Sequence, residues 1–181
     1  MKFIKIFLIS AILAIPAVTV PGQSNQGNIS SPTIEVLAIK QILKLPHYGV
    51  FDIISIKVED GLVTLSGKVV QPTTKSSAGR AVEKIKGVTD VINNIEVLPL
   101  SGFDNSIRSR TLRTLSRQGG LNRYFLGAHP AVRIIVARGH LSLKGFVANR
   151  GDFNLMNVLA NGVSGVFSVT NNLIIENENV L

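Results

Sequence analysis

Along residues 31–97 the apolar positions switch between two spacings. Ile34, Leu37, Ala38, Ile42 and Leu45 recur every three or four residues, and Pro46 ends the run. This spacing predicts a helix, with Ser31 as N-cap and Pro32 as the first helical residue. Two alternating runs follow. Ile54, Ile56 and Val58 share one face of a strand, and Val63, Leu65, Gly67 and Val69 share one face of the next. Asp60-Gly61 between them is a strong hairpin turn signal. Gln71-Pro72-Thr73 closes the hairpin and caps a second helix, in which Ala78, Ala81, Val82 and Ile85 line one face. Gly87 is expected to end that helix as a left-handed C-cap. Val91, Asn93, Ile95 and Val97 then share one side of a third strand. A hairpin followed by a right-handed crossover gives a three-stranded mixed sheet. Both helices cover one face of it, which leaves the other to solvent or to a second domain.

The pattern occurs twice. Shifted by 78 residues, 56–69 falls on 134–147 and 85–95 falls on 163–173 without a gap. Apolar positions and glycines repeat, whereas most charged positions do not. Gly61, Gly67 and Gly87 return as Gly139, Gly145 and Gly165. The period is longer than that of solenoid repeats, so the chain reads as two small domains and not an array. The predicted fold class is α+β: two tandem αββαβ domains, residues 31–99 and 104–176, each a three-stranded mixed sheet with two helices on one face. Leu98–Asn105 is the expected linker. In the second copy a helix is predicted over Asn105–Arg117, with Leu112 and Leu115 at the positions of Ile34 and Leu37. Gly119-Gly120 should stop it early. Arg138-Gly139 takes the hairpin turn, and Met156, Leu159, Ala160 and Val163 repeat the stripe of the second helix.

A glycine turn, the strand Val63-Thr-Leu-Ser-Gly-Lys-Val69, and a Gly87-Val88 followed by Val91-Ile-Asn-Asn-Ile95 ending resemble the BON domain. Ile134-Ile-Val136, Gly139, Leu143-Lys-Gly145-Phe-Val147 and Gly165-Val-Phe-Ser-Val-Thr-Asn-Asn-Leu173 carry the likeness in the second copy. The chain is similar to tandem BON exported proteins of the osmotically inducible periplasmic type over residues 33–176. That resemblance implies an αββαβ fold and a role without catalysis. It implies attachment to phospholipid membranes, linked to envelope integrity or osmotic stress protection. Gly119-Gly120 and the approach His129-Pro-Ala-Val-Arg133 depart from the commoner pattern.

The N-terminus changes where the protein is expected to work. Lys2 and Lys5 flank the apolar run Ile6–Ile15, followed by Pro16-Ala17. Residues 1–22 therefore read as a Sec signal peptide and the start of a flexible lead-in, too short in apolar length to span a bilayer. The expected location is periplasmic or secreted. The absence of cysteine excludes disulfides, thiolate metal sites and a lipoprotein anchor.

The formal charge of +8 is uneven. Residues 31–100 hold 8 basic against 7 acidic side chains, and residues 101–181 hold 9 against 4. Eight of those nine are arginine, the side chain that grips phosphate with a fork of donors. Arg110, Arg113 and Arg117 fall on one helical face, opposite Leu112 and Leu115. Arg108 lies to one side, and Arg123 and Tyr124 follow the break. These six polar or basic residues, Arg108, Arg110, Arg113, Arg117, Arg123 and Tyr124, are the candidate lipid-binding set, against the plainer alternative of a solvated helix face. Nucleic acid is disfavoured by the export signal and by few aromatics for base stacking. The alternative partner is another envelope protein, docked on an open sheet face or edge without lipid. The six repeated glycines are read as turn, cap and packing positions. In the recurring pairs Asn93-Asn94 and Asn171-Asn172, one residue of each is expected to hydrogen-bond a helix or an edge backbone, a structural role. His47, His129 and His140 have no ligand-spaced companions, no catalytic constellation is visible, and no metal or cofactor is expected.

Overall fold

The computed structural model describes residues 31–176; the expected signal peptide and the tail from Asn177 lie outside them. The first copy runs α1 (Ser31–Leu43), β1 (Ile53–Glu59), β2 (Leu62–Val69), α2 (Pro72–Glu83) and β3 (Asp90–Val97). The second runs α3 (Gly102–Arg117), a short 3-10 helix (Asn122–Phe125), β4 (Val132–Ala137), β5 (His140–Val147), α4 (Arg150–Asn161) and β6 (Ser168–Ile175). Each sheet has its hairpin's second strand in the middle, antiparallel to the strand before it and parallel to the strand after α2 or α4. The registers repeat as the sequence does. Leu65 stands between Ile56 and Asn93, and Leu143 stands between Ile134 and Asn171.

Each copy has its own core. Ile34, Ala38 and Ile42 of α1 and Ala78 and Val82 of α2 close over Val63, Leu65 and Ile95 of the first sheet. Ile107 and Leu115 of α3 and Met156 and Ala160 of α4 close over Ile134, Leu143 and Leu173 of the second. The apolar stripes therefore do what their periods demand: helical stripes and alternate strand residues meet on one side of each sheet.

Gly67 and Gly145 show why a strand would keep a glycine. Both lie at positive φ, +125° and +118°, and a β-carbon would collide with the carbonyl oxygens of Ile53, the first residue of β1, and Ala131, the residue just before β4. The close approach is by a strand, not by a helix. Asn93 and Asn171 tie sheet to helix. Their side-chain amides donate to the carbonyls of Lys75 (2.9 Å) and Phe153 (3.2 Å), and their oxygens accept from the backbone N–H of Ile95 and Leu173.

Three expectations need correction. α3 begins at Gly102, not Asn105, because Ser101 caps it: the hydroxyl accepts from the Asp104 N–H at 3.1 Å. The linker shrinks accordingly. Gly87 and Gly165 do take left-handed backbone but are not helix caps. α2 ends at Glu83 and α4 at Asn161, and a further turn, closed by Val88 N–H to Ile85 O and Val166 N–H to Val163 O, comes before the strand.

The face left open by the helices is partly covered by the other copy. The loop after α1 docks on the outer edge of β4, where the Ile134 N–H donates to Val50 O at 2.8 Å. The Arg133 guanidinium donates to Gly49 O at 2.7 Å and lies 4.8 Å from the Tyr48 ring centre. Arg133 and Ile135 point to the open side of the sheet and are nevertheless buried. Asp52 is buried in the same loop and accepts from the N–H groups of Gly49 and Val70. Burial pushes its pKa up, against the pull of those amides and of Arg133 and Arg108.

Candidate functional site

The arginines of α3 do not share one fate. A helix turns about 100° per residue, so neighbours two apart face different ways. Arg110 is half-buried, while Arg113 and Arg117 are exposed. None of the three makes an ion pair among the described residues. With Asn105, Ser106 and Ser109, Arg110 and Arg113 line a shallow surface concavity of about 450 Å³. The Arg110 guanidinium lies against the Gly165 turn, and its Nε is buried without a hydrogen-bond partner. Leu115 on the opposite side of the helix is fully buried. The helix thus anchors one face and offers cations on another.

Arg108 is not part of that face. It is buried, donates to Asn105 Oδ1 at 2.5 Å and, from its other terminal nitrogen, to Val136 O at 2.6 Å. Burial lowers its pKa, and the nearby carboxylates of Asp104 and Asp52 oppose that effect. Its charge is consumed inside the domain and cannot meet an external surface.

Arg123 and Tyr124 are likewise structural. Tyr124 is buried; its hydroxyl donates to Asp152 Oδ2 at 2.5 Å and accepts from the Ala148 N–H at 2.9 Å. Arg123 forms an ion pair with the same carboxylate and lies over the Tyr124 ring, 4.7 Å from its centre. Asp152 itself is the acidic residue in the first turn of α4, held by the Asn149 cap. The triad pins the segment after α3 to the start of α4. Arg123 stays exposed but shares its charge with Asp152, whereas Tyr124 is buried.

Several residues that shape this region were not singled out in the sequence. Asp104 is buried and accepts from the N–H groups of Arg138 and Gly139, both at 2.8 Å, so it holds the β4–β5 turn to the first turn of α3. The signal was Ser101-x-x-Asp104, a cap followed three residues later by an acid. Phe103 and Phe167 stand together on the outside with ring centres 5.8 Å apart. Of the histidines, His47 and His129 are exposed, and His140 is exposed with Nδ1 2.7 Å from Ser168 Oγ. Among the described residues no group of three metal-ligating side chains comes together. Nor is any described helix long and apolar enough to cross a membrane.

Comparison with known proteins agrees with the architecture. The family model described as BON domain matches twice, at residues 38–99 and 104–177. No curated protein shows significant sequence similarity to the chain. Among solved structures, the C-terminal domain of CdsD, a structural protein of the type III secretion system of Chlamydia trachomatis, is similar at 16% identity; 82% of this chain and 67% of that one are covered, with a TM-score of 0.31. A second structure of CdsD aligns at 13% identity over 80% of this chain and 94% of that one, with a TM-score of 0.29.

Proposed function

The chain belongs to the BON-domain family, and from that premise we propose that it attaches reversibly to anionic phospholipid surfaces of the cell envelope. BON domains are a binding-type, non-catalytic family, and proteins that carry them are typically periplasmic or envelope-associated. One observation supports the lipid reading in this chain: Arg110, Arg113 and Arg117 lie on one side of α3 without internal ion pairs, on a helix whose other side is anchored in the core. Each cation near a negative membrane surface contributes roughly 1 kcal/mol, screened by salt. Three of them give a weak, reversible attachment of about a hundredfold. The first copy, nearly neutral, acts as the brace that covers β4. Such a role supports envelope integrity or protection under osmotic stress. The N-terminal signal segment is part of the same reading, since it takes the chain to the periplasm or beyond.

A second reading rests on a different observation. Phe146 and Ile174 are neighbours in the β5–β6 register and are half exposed on the open face of the second sheet. An apolar pair there suits a protein partner. Co-sedimentation of the exported form with vesicles of graded anionic content, across low and high salt, separates the two. Lipid attachment predicts binding that rises with anionic content and falls with salt. Binding equal on zwitterionic and anionic vesicles, or none on either, contradicts it.

A further inference from the structure

The two copies use the same backbone bridge at their hairpin ends and place different side chains on it. In the first, Gly61 O accepts from the Thr89 N–H at 2.9 Å; in the second, Gly139 O accepts from the Phe167 N–H at 2.9 Å. The turn residues also match, with φ of 48° at Asp60 and 52° at Arg138, and 84° and 79° at the glycines that follow. The fold therefore accepts Asp60 and Thr89 in one copy and Arg138 and Phe167 in the other. Phe167 is not demanded by packing, since it is 71% exposed.

Although exposed, the ring is held. It lies against Gly139, where a β-carbon would stand only 2.5 Å from Cδ2. It also faces Phe103, itself 47% exposed, and the edge of His140 at 6.2 Å. Phe103 lies in the first turn of α3, which begins at Gly102. That turn is fastened by Asp104 to the amides of the β4–β5 turn, and Arg108, one turn on, donates to Val136 O. Two buried polar side chains thus fix a platform whose outward products are two phenyl rings and the exposed Arg138, with Arg110 at its margin.

We propose that this hairpin end is a second membrane-contact element, separate from the arginine face of α3, in which Phe167 enters the apolar side of the headgroup region beside Arg138 on the phosphates. The inference rests on the lipid reading above and names a part of the molecule that reading does not use. A rigid aromatic ring next to a cation matches the layering of an anionic bilayer surface, with negative groups outermost and hydrocarbon beneath. The first copy's Asp60 and Thr89 give its own hairpin end the opposite character.

The test uses the copies against each other. Phe167→Thr and Arg138→Asp install residues that the first copy already carries on the same backbone, so the fold should survive; circular dichroism checks this. Phe167→Thr should weaken partition onto anionic vesicles about tenfold, and the loss should persist at high salt because it is apolar in origin. Arg138→Asp should weaken binding at low salt only. As an independent readout, Phe167→Trp should show blue-shifted emission on the same vesicles, quenched by brominated acyl chains. If the parent fails to bind anionic vesicles, both this inference and the lipid reading fall. If the parent binds and Arg110→Ala weakens it while Phe167→Thr binds like the parent, this inference alone is overturned.

Discussion

Arg108 and Arg110 are two residues apart and do opposite things. Arg108 spends both terminal nitrogens on Asn105 and Val136 inside the domain, whereas Arg110 reaches the Gly165 turn at the surface. A buried guanidinium is held in place by what it satisfies: removing it leaves the Val136 carbonyl without that donor and Asp104 and Asp52 without their nearby cation. Arg108→Ala should therefore lower unfolding stability by about 2–3 kcal/mol, read by thermal or urea denaturation. Arg108→Lys should not restore stability, since one ammonium cannot reproduce the two-ended reach. A loss of binding without a loss of stability would place Arg108 back on the outer face.

Among the elements, the paired devices of the two sheets are the most exposed to single changes. Asn171 both donates to α4 and accepts from β6, so Asn171→Ala should cost about 1–2 kcal/mol. Gly145→Ala should cost more, because its β-carbon meets the Ala131 carbonyl and its φ is left-handed. A denaturation series showing the reverse order would mean that the strand at Gly145 relaxes freely. These positions also show what a linear sequence discloses. The strands, the helices, the duplication and the structural asparagines follow from period and repetition, and of the two partners left open, helix or edge backbone, the Asn93 and Asn171 amides take helix carbonyls. The start of α3 was missed because Leu-Pro-Leu-Ser-Gly reads as linker until Ser101 is matched to Asp104. The candidate site was legible only in part. Spacing places arginines around a helix but does not say which sector the hairpin covers, and Arg108 lies beneath it. Tyr124 and Arg123 depend on Asp152, 28 and 29 residues away, a pairing that no local pattern announces.

At the scale of the whole molecule, the copies are tied together by Arg133 on Tyr48 and Gly49 and by the bond from Ile134 to Val50. Arg133→Ala should make unfolding less cooperative, splitting one calorimetric transition into two; a single unchanged transition would mean the clamp is dispensable. The buried Asp52 gives the same junction a pH dependence. Its pKa is raised in the fold, so the folded protein holds the proton more tightly than the unfolded chain, and that contribution is present below the ordinary carboxylate pKa and lost as pH rises through the raised one. Relative to Asp52→Asn, which cannot ionise, the parent should lose stability as pH rises from below about 4. A difference that stays flat with pH would contradict the assignment.

In the proposed reading the first copy serves as a support for a basic partner domain, and the arginines of α3 carry the attachment. The most direct test compares the parent with the combined Arg110→Ala, Arg113→Ala and Arg117→Ala variant on anionic vesicles at low salt, with folding verified by circular dichroism. The account predicts that the folded variant stays largely in the supernatant while the parent sediments with the vesicles. A variant that sediments as the parent does would contradict it.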